Sequence, residues 1–238
     1  MVKVALQISG RLRWTNNSLL SLCGAILEPL QPDVFCSFWE PENPIALEKY
    51  LEACSPVLCE IENQKLVRPM IDQLFPYNIH ANMPSMSYKF YQVSKLRQSH
   101  ERQTGQQYDV VIQARSDNLF FERLDIQRCQ LSLDKNAILC SNQEYNPLID
   151  DYCNGPRMVD NFYLGPGKLI DTAATTVWRL QAKAAEWSIK GWQHQVRIPE
   201  IIQTSIWQDM GITIDGLEGS GASGNFFYEI DRSNTSWK

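Results

Sequence analysis

The sequence predicts an α/β fold in which mostly parallel strands form a central sheet covered by helices. Three observations carry that expectation. Residues 2–9 are apolar and β-branched at alternate places and run into the turn signal Ser9-Gly10-Arg11. Strand-like and helical patterns then alternate through residue 61, the β-α-β-α-β order that a parallel sheet requires. Residues 108–114, YDVVIQA, are nearly continuously apolar and β-branched, as a strand buried on both faces should be.

Residues 2–9 read as the first strand. Leu19, Leu22, Cys23, Ile26 and Leu27 then form a helical stripe, with the capping types Thr15 and Asn16 before it and Pro29 and Pro32 ending it. Residues 33–39, DVFCSFW, predict a short strand, 44–53 a helix with Pro44 in its first turn, and 56–61 a third strand. The stretch 63–84, which holds Pro69, Pro76 and Pro84, predicts loops around a helical piece. Met86, Phe90, Val93, Leu96 and Arg97 mark a long helix over 85–104. After the 108–114 strand, weaker strands are expected at 137–140 and 158–164, a long helix at 168–190, another at 199–210 and a closing strand at 212–215. From Gly216 the composition turns to Gly and Ser and then to the strand-like 225–230, so one domain over 1–217 and a tail over 218–238 are expected.

At about 150 residues per domain, 238 residues allow one large domain, and a chain of this size buries roughly 70–75% of its unfolded surface. Hydrophobic residues make up 44% and charged residues 21%, an ordinary globular balance. No apolar run approaches the roughly 18 residues of a membrane span, and residues 1–9, with Lys3 among them, do not read as a secretory signal. With 22 basic and 27 acidic residues the net charge is −5, which disfavours generic attraction to nucleic acid or anionic lipid. Seven cysteines, without a C-x-x-C pair, read as buried thiols of a reducing compartment, which points to the cytoplasm. The sequons at Asn16 and Asn234 carry no weight without a secretory route.

The strongest chemical signal is YDVVIQARSD. A buried strand that ends in Arg115 and, two places on, Asp117 delivers opposite charges to a strand tip, where such sheets expose ligand groups. Asp117 could ligate a hard cation and Arg115 grip a phosphate; the plain alternative is a surface turn that Asp117 caps. The loop Ser9-Gly10-Arg11-Leu12-Arg13 offers backbone N–H groups and two permanent cations to a phosphate, or is simply a solvated basic loop. Trp39 could stack on a nucleobase, or pack half-buried. Asp160 interrupts the apolar run MVDNFYLG, where a raised proton affinity suits a general base; Asp150 and Asp151 are nearby alternatives that also suit a metal.

Several motifs are declined. Gly219–Gly224, GSGASG, matches G-x-G-x-x-G, but too little chain follows it to complete a dinucleotide-binding unit. Gly165-Pro166-Gly167-Lys168 lacks P-loop spacing, and His80, His100 and His194 have no nucleophile at readable spacing. His194 is at most a late metal ligand.

The order SGRLR, DVFCSFW, S-x-x-Y-x-x-x-x-x-K, YDVVIQARSDNLFF and DNFYLG, followed by the helix that Pro199-Glu200 opens, resembles a group of viral and bacterial sugar transferases: GT-A-type nucleotide-sugar glycosyltransferases. The resemblance spans about residues 1–217 and implies a single Rossmann-like GT-A domain with a nucleotide diphosphate sugar as donor and a glycan or other hydroxyl as acceptor. It places Arg115-Ser116-Asp117 where such enzymes carry an Asp-x-Asp metal motif, with arginine in place of the first carboxylate. It further implies Mn²⁺ or Mg²⁺ at Asp117, the Ser9–Arg13 loop at the nucleotide, Lys95 reaching a phosphate and Asp160 near the acceptor. If the chain is viral, its place is the host cytoplasm.

Transfer builds positive character on the anomeric carbon and negative charge on the leaving diphosphate, so cations around the diphosphate lower the barrier. With inversion a carboxylate must also take the acceptor's proton, expected at Asp160 ahead of Asp151. Two other readings stand beside this one: a sugar nucleotidyltransferase, for which SGRLR is a short loop, and a non-catalytic glycan-binding or scaffold protein that uses its seven tryptophans.

Overall fold

A computed structural model describes residues 2–74, 82–140, 162–191, 199–217 and 228–230. Seven strands form one sheet in the order β3-β2-β1-β4-β7-β6-β8. They are β1 (Val4–Gly10), β2 (Asp33–Trp39), β3 (Leu58–Glu62), β4 (Val110–Ala114), β6 (Ile138–Cys140), β7 (Phe162–Pro166) and β8 (Ile214–Gly216). β1 pairs in parallel with β2 and β4, β2 with β3, and β6 with β8. β7 runs antiparallel to both β4 and β6, so it is the reversed strand in an otherwise parallel sheet. The expected α/β class and the mostly parallel sheet are therefore present.

Helices cover both faces because strands buried on both sides need two cores. On one face Ala5, Phe35, Val111 and Tyr163 pack under α5 (Met83–Thr104), α7 (Gly167–Ala174), α8 (Leu180–Ile189) and α9 (Pro199–Asp209). On the other, Leu6, Ile8, Cys36, Ile112 and Leu164 meet α1 (Asn16–Leu22), α3 (Pro44–Cys54) and α6 (Ile126–Lys135). α1 starts where Thr15 and Ser18 close a capping box, each side chain taking the other's backbone N–H.

Two expected helices are interrupted. The 15–30 helix passes from α1 through a π-turn, Cys23–Leu27, into the three-residue α2 (Glu28–Leu30). Leu22 and Ile26 keep the spacing of an ordinary helix, so the apolar stripe does not register the change. The 168–190 helix is broken by a 3₁₀ turn, Thr175–Trp178. There Thr175 Oγ1 donates to the Thr172 carbonyl and Thr176 Oγ1 to that of Ala173, the kind of back-bonding that loosens a helix. Within 63–84, α4 (Gln64–Leu74) tolerates Pro69 inside it. β9 (Tyr228–Ile230) falls within the expected strand-like 225–230, but α6, β5 (Asn118–Phe120) and the pairing of β5 with β9 in a short ribbon were not expected. Of the cysteines, Cys36, Cys54, Cys129 and Cys140 are buried as expected, but Cys59 is exposed.

Candidate functional site

The carboxyl ends of β1 and β4 lie side by side, with Ile8 paired to Ala114. Each strand delivers one charged loop. Gly10 leaves β1 at φ 107°, a backbone that an L side chain rarely adopts, and the chain then turns through Arg11 to Arg13. Beyond β4, Arg115, Ser116 and Asp117 turn the chain into β5.

Ser116 ties the two loops together. Its Oγ accepts from the Arg13 backbone N–H at 2.9 Å and donates to the Arg11 carbonyl at 3.3 Å. Its carbonyl accepts from Ser18 Oγ, which anchors the turn to α1. Asn118 closes the turn by accepting the Arg115 N–H on its side-chain oxygen at 2.6 Å. The result brings the Arg13 and Arg115 charges to Asp117, with Arg11, whose Nη2 donates to Gln64 Oε1 at 3.0 Å, beside Arg13. Partial burial lowers the proton affinity of Arg13, the Asp117 charge opposes that, and the nearby Arg11 and Arg115 charges add to it. A site with three guanidinium groups to one carboxylate favours an anion.

Asp117 is 4% exposed and doubly bound: Arg115 Nε donates to its Oδ1 at 2.8 Å and Arg115 Nη2 to its Oδ2 at 2.6 Å. Among the described residues no cluster of three or more His, Cys, Asp or Glu could hold a metal. A lone carboxylate suits a Mg²⁺ or Mn²⁺ ion that arrives on phosphate oxygens better than one resident in the protein, since such ions are commonly held by one or two carboxylates and substrate phosphates.

A polar seam runs beneath α5 along the sheet. Gln113 Nε2 donates to Ser9 Oγ at 2.9 Å, and Ser94 of α5 donates to Gln7 Oε1 at 3.2 Å. Farther along, Lys89 Nζ donates to Ser37 Oγ at 3.1 Å and to Glu62 Oε2 at 2.6 Å. Burial lowers the proton affinity of Lys89, opposed chiefly by Glu62. Where Ser9, Gln113, Arg115 and Tyr163 approach Met86, Ser87 and Phe90 of α5 and Gln203 of α9, they enclose a cavity of about 20 Å³. A larger hollow of about 420 Å³, lined by Gln98, Glu101, Arg102, Gly105 and Gln107, lies at the far end of α5, away from these strand tips.

The residues expected at the site therefore divide. Ser9, Gly10, Arg11, Arg13, Arg115 and Asp117 come together. Trp39 does not offer a stacking face: it is 4% exposed, with Tyr88 stacked on it at 5.8 Å and Lys89 Nζ 4.5 Å from its ring centre. Lys95 stands exposed on α5, and Met86, Ser87 and Phe90 of that helix line the cavity instead. Asp150, Asp151, Asp160 and His194 lie outside the described residues. Sequence reasoning missed Ser116, Gln113, Ser87, Gln203 and Lys89. Gln113 was legible as a polar residue inside the apolar run YDVVIQA; the others carry no local signal.

No family model matches the chain, and no curated protein matches it. Among solved structures, the apo form of mouse xyloside xylosyltransferase 1 covers 92% of this chain and 86% of its own length, with a TM-score of 0.48 at 10% identity. A likeness that distant carries no argument about function. No described helix is long and apolar enough to cross a membrane.

Proposed function

We propose that the chain is a glycosyltransferase that moves a sugar from a nucleotide diphosphate sugar to a glycan or other hydroxyl acceptor. One observation supports this reading above the others: Ser116 joins the two loops so that Arg13 and Arg115 meet Asp117 at adjacent strand tips, with Arg11 beside Arg13. In an open α/β sheet this is where nucleotides are held. Guanidinium groups are suited to the leaving diphosphate because they grip phosphate oxygens in pairs and stay charged at any working pH. Their charge grows in value as the glycosidic bond breaks and negative charge collects on the diphosphate.

Arg115 here takes the part of the first carboxylate of the expected metal motif, with the opposite charge. Asp117 would hold Mn²⁺ or Mg²⁺ against the diphosphate; such an ion supplies further positive charge to the leaving group. The acceptor's proton is assigned to Asp160, with Asp151 the alternative, on the resemblance alone. A glycan-binding protein that relies on tryptophan faces is less well supported: Trp39, Trp187 and Trp207 are buried, and Trp178, at 50%, is the exposed one among those described.

The test is thermal denaturation with a panel of nucleotide diphosphate sugars, with and without Mn²⁺. A donor that binds the folded state raises the melting temperature by mass action. If no member of the panel shifts the transition, the proposal fails.

A further inference from the structure

Two thiols meet at the edge of the sheet. Cys36 of β2 and Cys59 of β3 are register partners in parallel strands, so their side chains stand on the same face. The Cys36 thiol donates a hydrogen bond to the Cys59 sulfur. Cys36 is 0% exposed, whereas Cys59 is open to solvent. β1 lies between β2 and the strand that delivers Arg115, and nothing in the pair depends on the sugar-donor reading.

This asymmetry gives the two sulfurs different chemistry. The thiolate, not the thiol, attacks an oxidant, and oxidation follows thiolate character and exposure. The hydrogen bond from Cys36 lowers the proton affinity of Cys59; burial opposes it, Lys89 assists it and Glu60 opposes it. Cys36 keeps its proton because it gives that hydrogen bond and is buried. Cys54, which lies near Cys36, is buried and pushed up to about 12. It does not join the pair in a set that could hold a metal. Neighbouring strands lie about 4.8 Å apart, within the roughly 4.4–6.8 Å between the Cα atoms of a disulfide. β3 ends the sheet and is held in it by β2 alone, so it can make the small shift that closure needs.

We propose that Cys59 and Cys36 form a peroxide-reactive dithiol, in which Cys59 takes an oxygen from a hydroperoxide and Cys36 then closes a disulfide that fastens β3 to β2. The Cys59 thiolate attacks one peroxide oxygen. The S–O bond forms as the O–O bond breaks, and the departing oxygen takes up the proton that Cys59 released. The Cys36 sulfur next attacks the Cys59 sulfur. The S–S bond forms, the S–O bond breaks, and the hydroxyl leaves as water with the Cys36 proton. The two sulfurs together give up two electrons, which reduce the peroxide.

Hydrogen peroxide added to the reduced full chain tests this, with products read by intact mass and by tandem mass spectrometry of a non-reducing digest. The chain is expected to lose two hydrogens and to yield a linked Cys36–Cys59 peptide. Cys36→Ala removes the second thiol, so dimedone, which traps sulfenic acid, should tag Cys59 there far more than in the parent. Cys59→Ser changes an exposed position and carries the test should Cys36→Ala not fold: Cys36 is then expected to stay reduced at the same peroxide dose. Four results overturn the proposal: a Cys59 that resists peroxide, a Cys59 sulfenic acid that persists in the parent without linking to Cys36, a link from Cys59 to any other cysteine, or oxidation of Cys36 in Cys59→Ser.

Discussion

Arg115 grips Asp117 through two parallel hydrogen bonds, Nε to Oδ1 at 2.8 Å and Nη2 to Oδ2 at 2.6 Å. The carboxylate is buried, while the Arg115 side chain retains 29% of its exposure. Arg115 can therefore turn outward toward a diphosphate, but only by releasing Asp117 to another partner. A cation on the incoming diphosphate is one such partner.

Asp117→Asn separates these roles. It keeps the shape and removes the charge, so binding of UDP or GDP without cation should hold or tighten, while any enhancement by Mn²⁺ disappears. Titration calorimetry with and without Mn²⁺ measures both. A folded variant that binds no nucleotide under either condition would contradict this division.

Ser116→Ala unties the two loops. The lost pair of hydrogen bonds should cost about 1–3 kcal/mol, and a mispositioned Arg13 should weaken nucleotide binding by roughly tenfold. Chemical denaturation and calorimetry on the same preparation give the two numbers. Unchanged nucleotide affinity would show that the loops do not depend on this tie.

Lys89→Met leaves Glu62 with Tyr88 as its remaining named partner and takes the cation from the face of Trp39. Breaking a buried pair costs about 3–5 kcal/mol; because Glu62 is partly exposed, about 2–3 kcal/mol is expected, a fall of roughly 4–12 °C in melting temperature. A melting temperature equal to that of the parent would argue that the pair is energetically neutral.

Cys36 and Cys59 face each other across β2 and β3. The Cys36 thiol bonds to Cys59 and holds its proton affinity below the usual thiol range; burial opposes this and the Lys89 charge assists it. The same contact, with burial, pushes Cys36 upward, so Cys59 ionises first. Iodoacetamide should label Cys59 fastest among the described cysteines, with a rate that climbs at lower pH than for a free thiol. In Lys89→Met the climb should move to higher pH. Mass spectrometry of the labelled peptides decides, and preferential labelling of Cys36 would refute the assignment.

The sheet was legible because its strands are short, apolar and separated by helices: β1, β2 and β4 fall within two residues of their expected starts. The reversal of β7 was not, since the side-chain pattern of a doubly buried strand carries no direction. At the site, Ser9, Gly10, Arg11, Arg13, Arg115 and Asp117 could be found because each loop follows its strand in sequence. Ser116 looks like any turn serine; its function as a tie appears only when residues more than a hundred positions apart meet. Trp39 misled because an aromatic residue near a strand end does not reveal which helix will cover it, and that helix supplies Lys89 and Tyr88. Ser87 and Gln203 lie on different helices, α5 and α9, and become neighbours only through tertiary packing.

The ribbon of β5 and β9 has a consequence for the site. Asn118, which fastens the Arg115 backbone, pairs with Ile230 in that ribbon. Residues 228–230, remote in sequence, thus serve as a splint on the turn that displays Arg115 and Asp117. Trimming the polypeptide before that point would slacken the charged turn while the seven-stranded scaffold stayed whole.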